Sequence, residues 1–306
     1  MSPAAATAAL RSWLFVPGDS ERKQARALAT PADALVLDLE DSVDAAQRPA
    51  ARARVAALLG APAAVRSAQL WVRVNAPSSG LMGEDLAAIC TRALPAGVVL
   101  PKVSAPEEII ETARQLEALE AQRRGPRGAI RLLVLVTETP QGLLALPAYP
   151  AALARSPAAL ARLSGLTWGA EDLGAALGVL GRRTADGSLT FTFQLARSAC
   201  LLAAAALQLP AIDTVYTDFR DAAGLARELD EARRDGFGGK LAIHPDQVRA
   251  INAAFTPTEA ERRHAERVLA AFAAAGNAGV ASLDGQMIDR PHLLQAQRVL
   301  ARPQDP

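Results

Sequence analysis

The chain is 306 residues long, which suits one (β/α)₈ barrel of about 250 residues with additions as well as two ordinary domains. Half of the residues are hydrophobic and 21% are charged, a balance that supports a large core and excludes a disordered chain. Lys plus Arg number 33 against 32 Asp plus Glu, so no overall field draws nucleic acid or an anionic membrane, and an anionic ligand has to be held by local charges. Cys90 and Cys200 lie far apart in apolar helical contexts, which argues against a disulfide framework or a cysteine zinc site. The first thirteen residues lack a basic region followed by a long apolar run, and no apolar stretch reaches membrane-spanning length, so a cytoplasmic location is expected.

In chain order, aliphatic or β-branched runs predict strands at 12–16, 34–39, 70–74, 97–100, 131–136, 163–168, 213–216 and 240–243. Between them, Ala-, Leu- and Arg-rich segments predict helices at 21–29, 47–59, 83–93, 105–121, 141–146, 173–177, 194–206 and 221–235. That alternation predicts parallel strands joined by helices, and eight runs fit an α/β fold of the closed TIM-barrel type. Beyond the eighth strand, 245–275 reads as two helices around FTPTE at 255–259, with Thr258 capping the second. A polar stretch at 281–290 then precedes a last helix at 291–300. The expected organisation is a barrel catalytic domain over 1–245 and a C-terminal helical extension over 246–306 that packs on a neighbouring subunit.

In such a barrel the active site is built at the C-terminal ends of the strands. Strand one ends in FVPG at 15–18; strand two ends in Asp38, Glu40 and Asp41, and strand three in Arg73. Lys102, Glu138 and the pair Glu171 and Asp172 follow strands four, five and six, while Asp218 and His244 follow strands seven and eight. Each has an ordinary explanation alone: a helix cap or ion pair for Asp218 and Glu171, an ion pair for Arg73, a solvated rim for Lys102, a core position for His244. Convergence at one rim favours a site, because several carboxylates at one mouth are electrostatically costly without a metal ion or substrate to compensate them. Two of the three histidines, His264 and His292, fall in the late helices, which argues against a His-rich zinc site, and magnesium held by Glu138 and Asp172 at the ends of adjacent strands fits the available oxygen ligands better. The GFGGK stretch at 236–240 leads into a strand, which makes it a weak phosphate-loop signal, and no Gly-x-Ser-x-Gly elbow supports serine hydrolase chemistry.

RSWLFVPG at 11–18, LDLEDSV at 37–43, VRVN at 72–75, LPK at 100–102, TET at 137–139, GAEDL at 169–173, GKLAIHP at 239–245 and DGQMIDRP at 284–291 occur in this order. Together they resemble the HpcH/HpaI aldolase and citrate lyase superfamily, in its citrate lyase beta-subunit-like branch, similar to malyl-CoA and citramalyl-CoA lyases. The resemblance implies a magnesium-dependent (manganese in its place) carbon–carbon lyase acting on an acyl-CoA and a 2-oxo or 2-hydroxy acid. It implies Glu138 and Asp172 as metal ligands, Arg73 as the cation that stabilises a thioester enolate, and Asp289 as an acid/base delivered from a neighbouring subunit. It further implies Phe15, Arg26, Ala242 and Ile243 on the coenzyme A side, with Asp38, Glu40 and Asp41 orienting Arg73, Lys102 or metal-bound water. The expected assembly is a homotrimer or hexamer. Without the resemblance, Asp289 reads as a cap for the helix near Pro291. A free 2-oxo acid aldolase, a malyl-CoA-type thioesterase and a citrate lyase subunit acting on an acyl-carrier-protein thioester stay open as alternatives.

Overall fold

The structure is a computed structural model that describes residues 10–62, 68–276 and 279–302. Eight strands close into a barrel with every neighbouring pair parallel: β1 (Ser12–Pro17), β2 (Ala34–Asp38), β3 (Gln69–Arg73), β4 (Gly97–Leu100), β5 (Arg131–Leu135), β6 (Leu163–Thr167), β7 (Ala211–Asp213) and β8 (Gly239–Ala242). Helices α1 (Glu21–Leu28), α2 (Arg48–Gly60), α3 (Met82–Ile89) and α4 (Pro106–Gln122) follow the first four strands. Three short helices, α5 (Pro140–Ala145), α6 (Tyr149–Ala154) and α7 (Pro157–Arg162), lie between β5 and β6. Then come α8 (Ala170–Leu177) and α9 (Phe191–Ala206) after β6, α10 (Ala222–Asp235) after β7, and α11 (Gln247–Phe255) after β8.

Period-two alternation divides each strand between two cores. Trp13, Val36, Trp71, Val99, Leu133, Ile212 and Leu241 fill the barrel interior, while Leu35, Leu37, Val72, Val98 and Val134 face the helices in a larger outer core. Trp13 and Trp71 meet edge to face inside the barrel, 4.7 Å between ring centroids. A side chain at Gly97 would fall 2.1 Å from the Trp71 ring, so a glycine opens β4 for it. With aromatic rings closing the interior below them, the polar residues that continue the inward set, Asp38, Glu40 and Arg73, emerge at the opposite, C-terminal mouth.

Three expectations change. Strand seven is Ala211–Asp213 rather than 213–216, because it pairs only where β6 and β8 present partners, Leu166 and Thr167 on one side and Gly239 and Lys240 on the other. Helices α6 and α7, each six residues with Pro in the first turn, were not expected; their apolar positions are too few to show a helical period. The polar stretch at 281–290 contains a hairpin, β9 (Val280–Leu283) and β10 (Gln286–Asp289), turned by Asp284 and Gly285 at φ 52° and 77°. An Asp-Gly pair with both residues left-handed is the two-residue turn that matches strand twist.

α11 packs on β1 and β8, with Val248, Ile251 and Phe255 in the outer core, and so completes the helical ring. Beyond it, α12 (Glu259–Ala274), the hairpin and α13 (Arg290–Leu300) enclose a separate small core of Ala265, Val268, Phe272, Ile288 and Ala296. Thr258 caps α12 as expected, in a reciprocal box with Glu261. No helix among the described residues is long and apolar enough to cross a membrane.

Lys240 ends the question of a phosphate loop at 236–240. It sits on the outward face of β8, fully buried, with Nζ 3.0 Å from Asp213 and 2.9 Å from Glu228 of α10. Burial pulls its pKa down, while the Asp213 charge opposes that shift. Lys240→Ala leaves both carboxylates without this partner and is expected to lower unfolding free energy by about 3–5 kcal/mol, measured by denaturant unfolding.

Candidate active site

Asp38 ends β2 and turns inward, where Arg73, at the end of the paired strand β3, meets it in a two-pronged ion pair of 2.6 and 2.7 Å. Backbone amides of Glu40 and Ser42 also donate to Asp38, each at 3.1 Å. Burial alone would raise the Asp38 carboxyl; the Arg73 charge and these hydrogen bonds hold it below the usual carboxylate range. Arg73 places its third nitrogen 2.9 Å from Glu40 and its guanidinium 4.8 Å above the Phe15 ring. Burial disfavours the charge on Arg73, but Asp38 and Glu40 overcome it, so the guanidinium is firmly protonated.

Lys102 bridges the next part of the rim. Its ammonium lies 2.6 Å from Glu40, 2.8 and 2.9 Å from the two Asp41 oxygens and 3.7 Å from Asp172. Its backbone adopts φ 52°, a left-handed conformation that costs a lysine about 1–3 kcal/mol. In that conformation the Lys102 amide donates to Glu138 at 2.6 Å. Strain at a strand end is thus coupled to the position of a carboxylate.

Glu138 follows β5 and is only 3% exposed; Asp172, in the first turn of α8, keeps 32% of its side-chain exposure. Burial, and next the Asp172 charge, raise the Glu138 carboxyl well above the glutamate range. Glu40 is likewise pushed up by burial, beyond what Arg73 and Lys102 pull down. Asp38, Glu40, Asp41, Glu138 and Asp172 therefore set five carboxylates against two cations, Arg73 and Lys102, a formal excess of three negative charges. Among the described residues no three His, Cys, Asp or Glu side chains form a metal cage. The donor set suits a hard ion that keeps waters or substrate oxygens: two carboxylates just beyond the adjacent strands β5 and β6, one of them buried and fixed by the Lys102 amide.

Beside the mouth, a cleft of about 370 Å³ runs between the end of β1, helix α1 and the end of β8. Phe15, Arg26 and Ile243 line it, together with Arg22, Lys23 and His244. Arg22 and Arg26 stand four apart on one helix face, a spacing that was visible in the sequence and passed over. Ala242, the last residue of β8, does not line the cleft; it is fully buried in the outer core. His244 lies at the cleft edge, its ring stacked 4.8 Å from Phe219.

Asp289 caps α13, its carboxylate 2.7 Å from His292 Nδ1. It is partly exposed, and among the described residues no contact joins it to the mouth of its own barrel. Glu171 pairs with Arg182, its ordinary reading, whereas Asp218 accepts the Arg220 amide in the turn before α10 and Asp221 caps that helix instead.

Residues 11–245 match the HpcH/HpaI aldolase/citrate lyase family. The chain belongs to that family. It is an enzyme of the carbon–carbon lyase class. Among its relatives, the citramalyl-CoA lyase of rat mitochondria is 36% identical over 95% of this chain and 85% of its own length. The (3S)-malyl-CoA thioesterase of Cereibacter sphaeroides is 34% identical over 95% of this chain and 94% of its own. The crystal structure of protein CitE from Mycobacterium tuberculosis, in complex with magnesium, acetoacetate and coenzyme A, superposes with a TM-score of 0.71 at 33% identity, covering 96% of this chain and 97% of that one.

Proposed function

We propose that this lyase cleaves, or in reverse forms, the carbon–carbon bond of a 3-hydroxyacyl-CoA thioester of the citramalyl, malyl or citryl type. The observation that carries the proposal is the half-buried guanidinium of Arg73, locked by Asp38 and Glu40 beside a carboxylate pair suited to a divalent cation. Glu138 and Asp172 would hold magnesium, or manganese in its place, which when bound supplies Lewis-acid polarisation of the oxo- or hydroxy-acid half.

The protein's own side chains supply the remaining steps. In the cleavage direction the bond between C2 and C3 of the acyl group breaks, its electron pair moves to the thioester as an enolate, and the C3 hydroxyl becomes the carbonyl of the released oxo acid. Arg73, fixed before the reaction, faces the negative charge that develops on the thioester oxygen. Asp41, half exposed and held by Lys102, is the carboxylate outside the metal pair best placed to accept the hydroxyl proton. Protonation of the enolate carbon then yields the acyl-CoA product, and Asp289 of a neighbouring subunit is the acid for that step. Phe15, Ile243 and the basic face of α1 receive the coenzyme A half.

The extension supports a shared site. Val280, Met287 and Leu294 expose apolar side chains on the hairpin and α13, next to Asp289 in the chain. We place this face against a second barrel in a homotrimer or hexamer. Mixing Asp289→Ala with Arg73→Ala protein under subunit exchange is then expected to restore activity that neither variant has, because mixed interfaces unite an intact Arg73 with an intact Asp289. No rescue, with exchange shown by native mass spectrometry, removes Asp289 from the mechanism. Product analysis separates cleavage from hydrolysis: the split gives a shorter acyl-CoA and an oxo acid, whereas thioester hydrolysis gives free coenzyme A and the intact hydroxy acid.

A further inference from the structure

Gly169 opens the turn from β6 into α8, three residues before Asp172. Its backbone, φ −122° and ψ 116°, is ordinary extended conformation that any residue adopts, so the turn itself does not require glycine. Space does. A β-carbon there would lie 2.4 Å from Cγ, 2.8 Å from Oε1 and 3.0 Å from Cδ of Glu138, and these are its three nearest neighbours. The Glu138 side chain thus fills the volume that a side chain at 169 would take.

Glu138 has little freedom to yield. It is buried, and its other oxygen accepts the Lys102 amide at 2.6 Å, on a backbone held at φ 52°. A methyl group at 169 therefore drives the carboxylate out of the rotamer that brings it beside Asp172, and it breaks or stretches the Lys102 contact. We propose that Gly169 is a positioning residue for Glu138, and that its missing side chain sets the affinity of the Glu138 and Asp172 pair for a divalent cation. This rests on the reading of those two carboxylates as metal ligands.

The test measures Mn²⁺ binding by electron paramagnetic resonance, with thermal melting of the metal-free protein, for the parent, Gly169→Ala, Glu138→Ala and the double variant. Gly169→Ala should weaken Mn²⁺ binding about tenfold or more, comparable to the loss of a partner that orients a metal ligand, and lower the melting temperature. In the Glu138→Ala background the colliding side chain is gone, so the added methyl group should change neither quantity. If Gly169→Ala does not fold, a double variant that melts with Glu138→Ala supports the same steric cause, and one that also fails to fold overturns it. Parental Mn²⁺ affinity in Gly169→Ala overturns the proposal, as does equal weakening in the Glu138→Ala background, which would place the effect on Asp172 or the backbone. Equal Mn²⁺ affinity in the parent and Glu138→Ala overturns the ligand reading itself and the proposal with it.

Discussion

Arg73→Lys is expected to lower kcat by about a hundredfold or more while changing KM far less. The guanidinium holds Asp38 through two parallel hydrogen bonds and Glu40 through an ion pair, which leaves it rigid and charged before substrate arrives. A lysine keeps the charge but loses the fork, so the cation is no longer fixed where enolate charge develops. Asp38 would also lose one of its two Arg73 donors, and a modest drop in melting temperature should accompany the kinetic loss. Steady-state kinetics with a CoA thioester substrate checks this. A change confined to KM would reduce Arg73 to a clamp on a substrate carboxylate.

Glu138→Gln is the second large effect: divalent-ion affinity should fall at least about tenfold and turnover with it, because an amide oxygen carries no charge to offer a hard cation. The metal-free protein adds a readout independent of catalysis. The raised pKa of Glu138 means that the native state keeps a proton which the unfolded chain has lost above about pH 4.5. Stability contributed by this group is therefore lost as pH rises from there through the folded pKa. Glutamine does not titrate, so that part of the slope should vanish in chelator-treated protein unfolded at a series of pH values. An unchanged slope would show that the Glu138 carboxyl is not held in a protonated state.

The barrel was legible because its strands are short aliphatic runs, such as 97–100 and 131–135, separated by helix-forming segments. The rim was legible because seven of the eight runs are followed by an ionisable residue, which placed Asp38, Glu40, Arg73, Lys102 and Glu138 at one mouth. Strand seven was misplaced because Val215 and Tyr216 favour strands by composition, while pairing partners on β6 and β8 set where the strand ends. The hairpin at 280–289 was missed although Asp284-Gly285 signalled it, since its strands are only four residues each and largely exposed, with Ile288 alone buried, so they show no clear period-two pattern.

Other parts of the site depend on conformation that composition does not encode. The left-handed backbone of Lys102, the burial of Glu138 and the absence of a side chain at Gly169 become connected only when the ends of β4, β5 and β6 are assembled. Ala242 is a further case. The resemblance set it on the coenzyme A side, yet it is fully buried in the outer core and does not line the cleft, a burial that shows only once α11 is packed on β8.

Incubating purified protein and magnesium with citramalyl-CoA, malyl-CoA and citryl-CoA, and following products by mass spectrometry, tests the assigned chemistry most directly. Lyase action predicts that at least one thioester splits into acetyl-CoA and its oxo acid, pyruvate, glyoxylate or oxaloacetate respectively, and that chelation stops the reaction. Free coenzyme A with an unsplit hydroxy acid, or three intact thioesters, would contradict it.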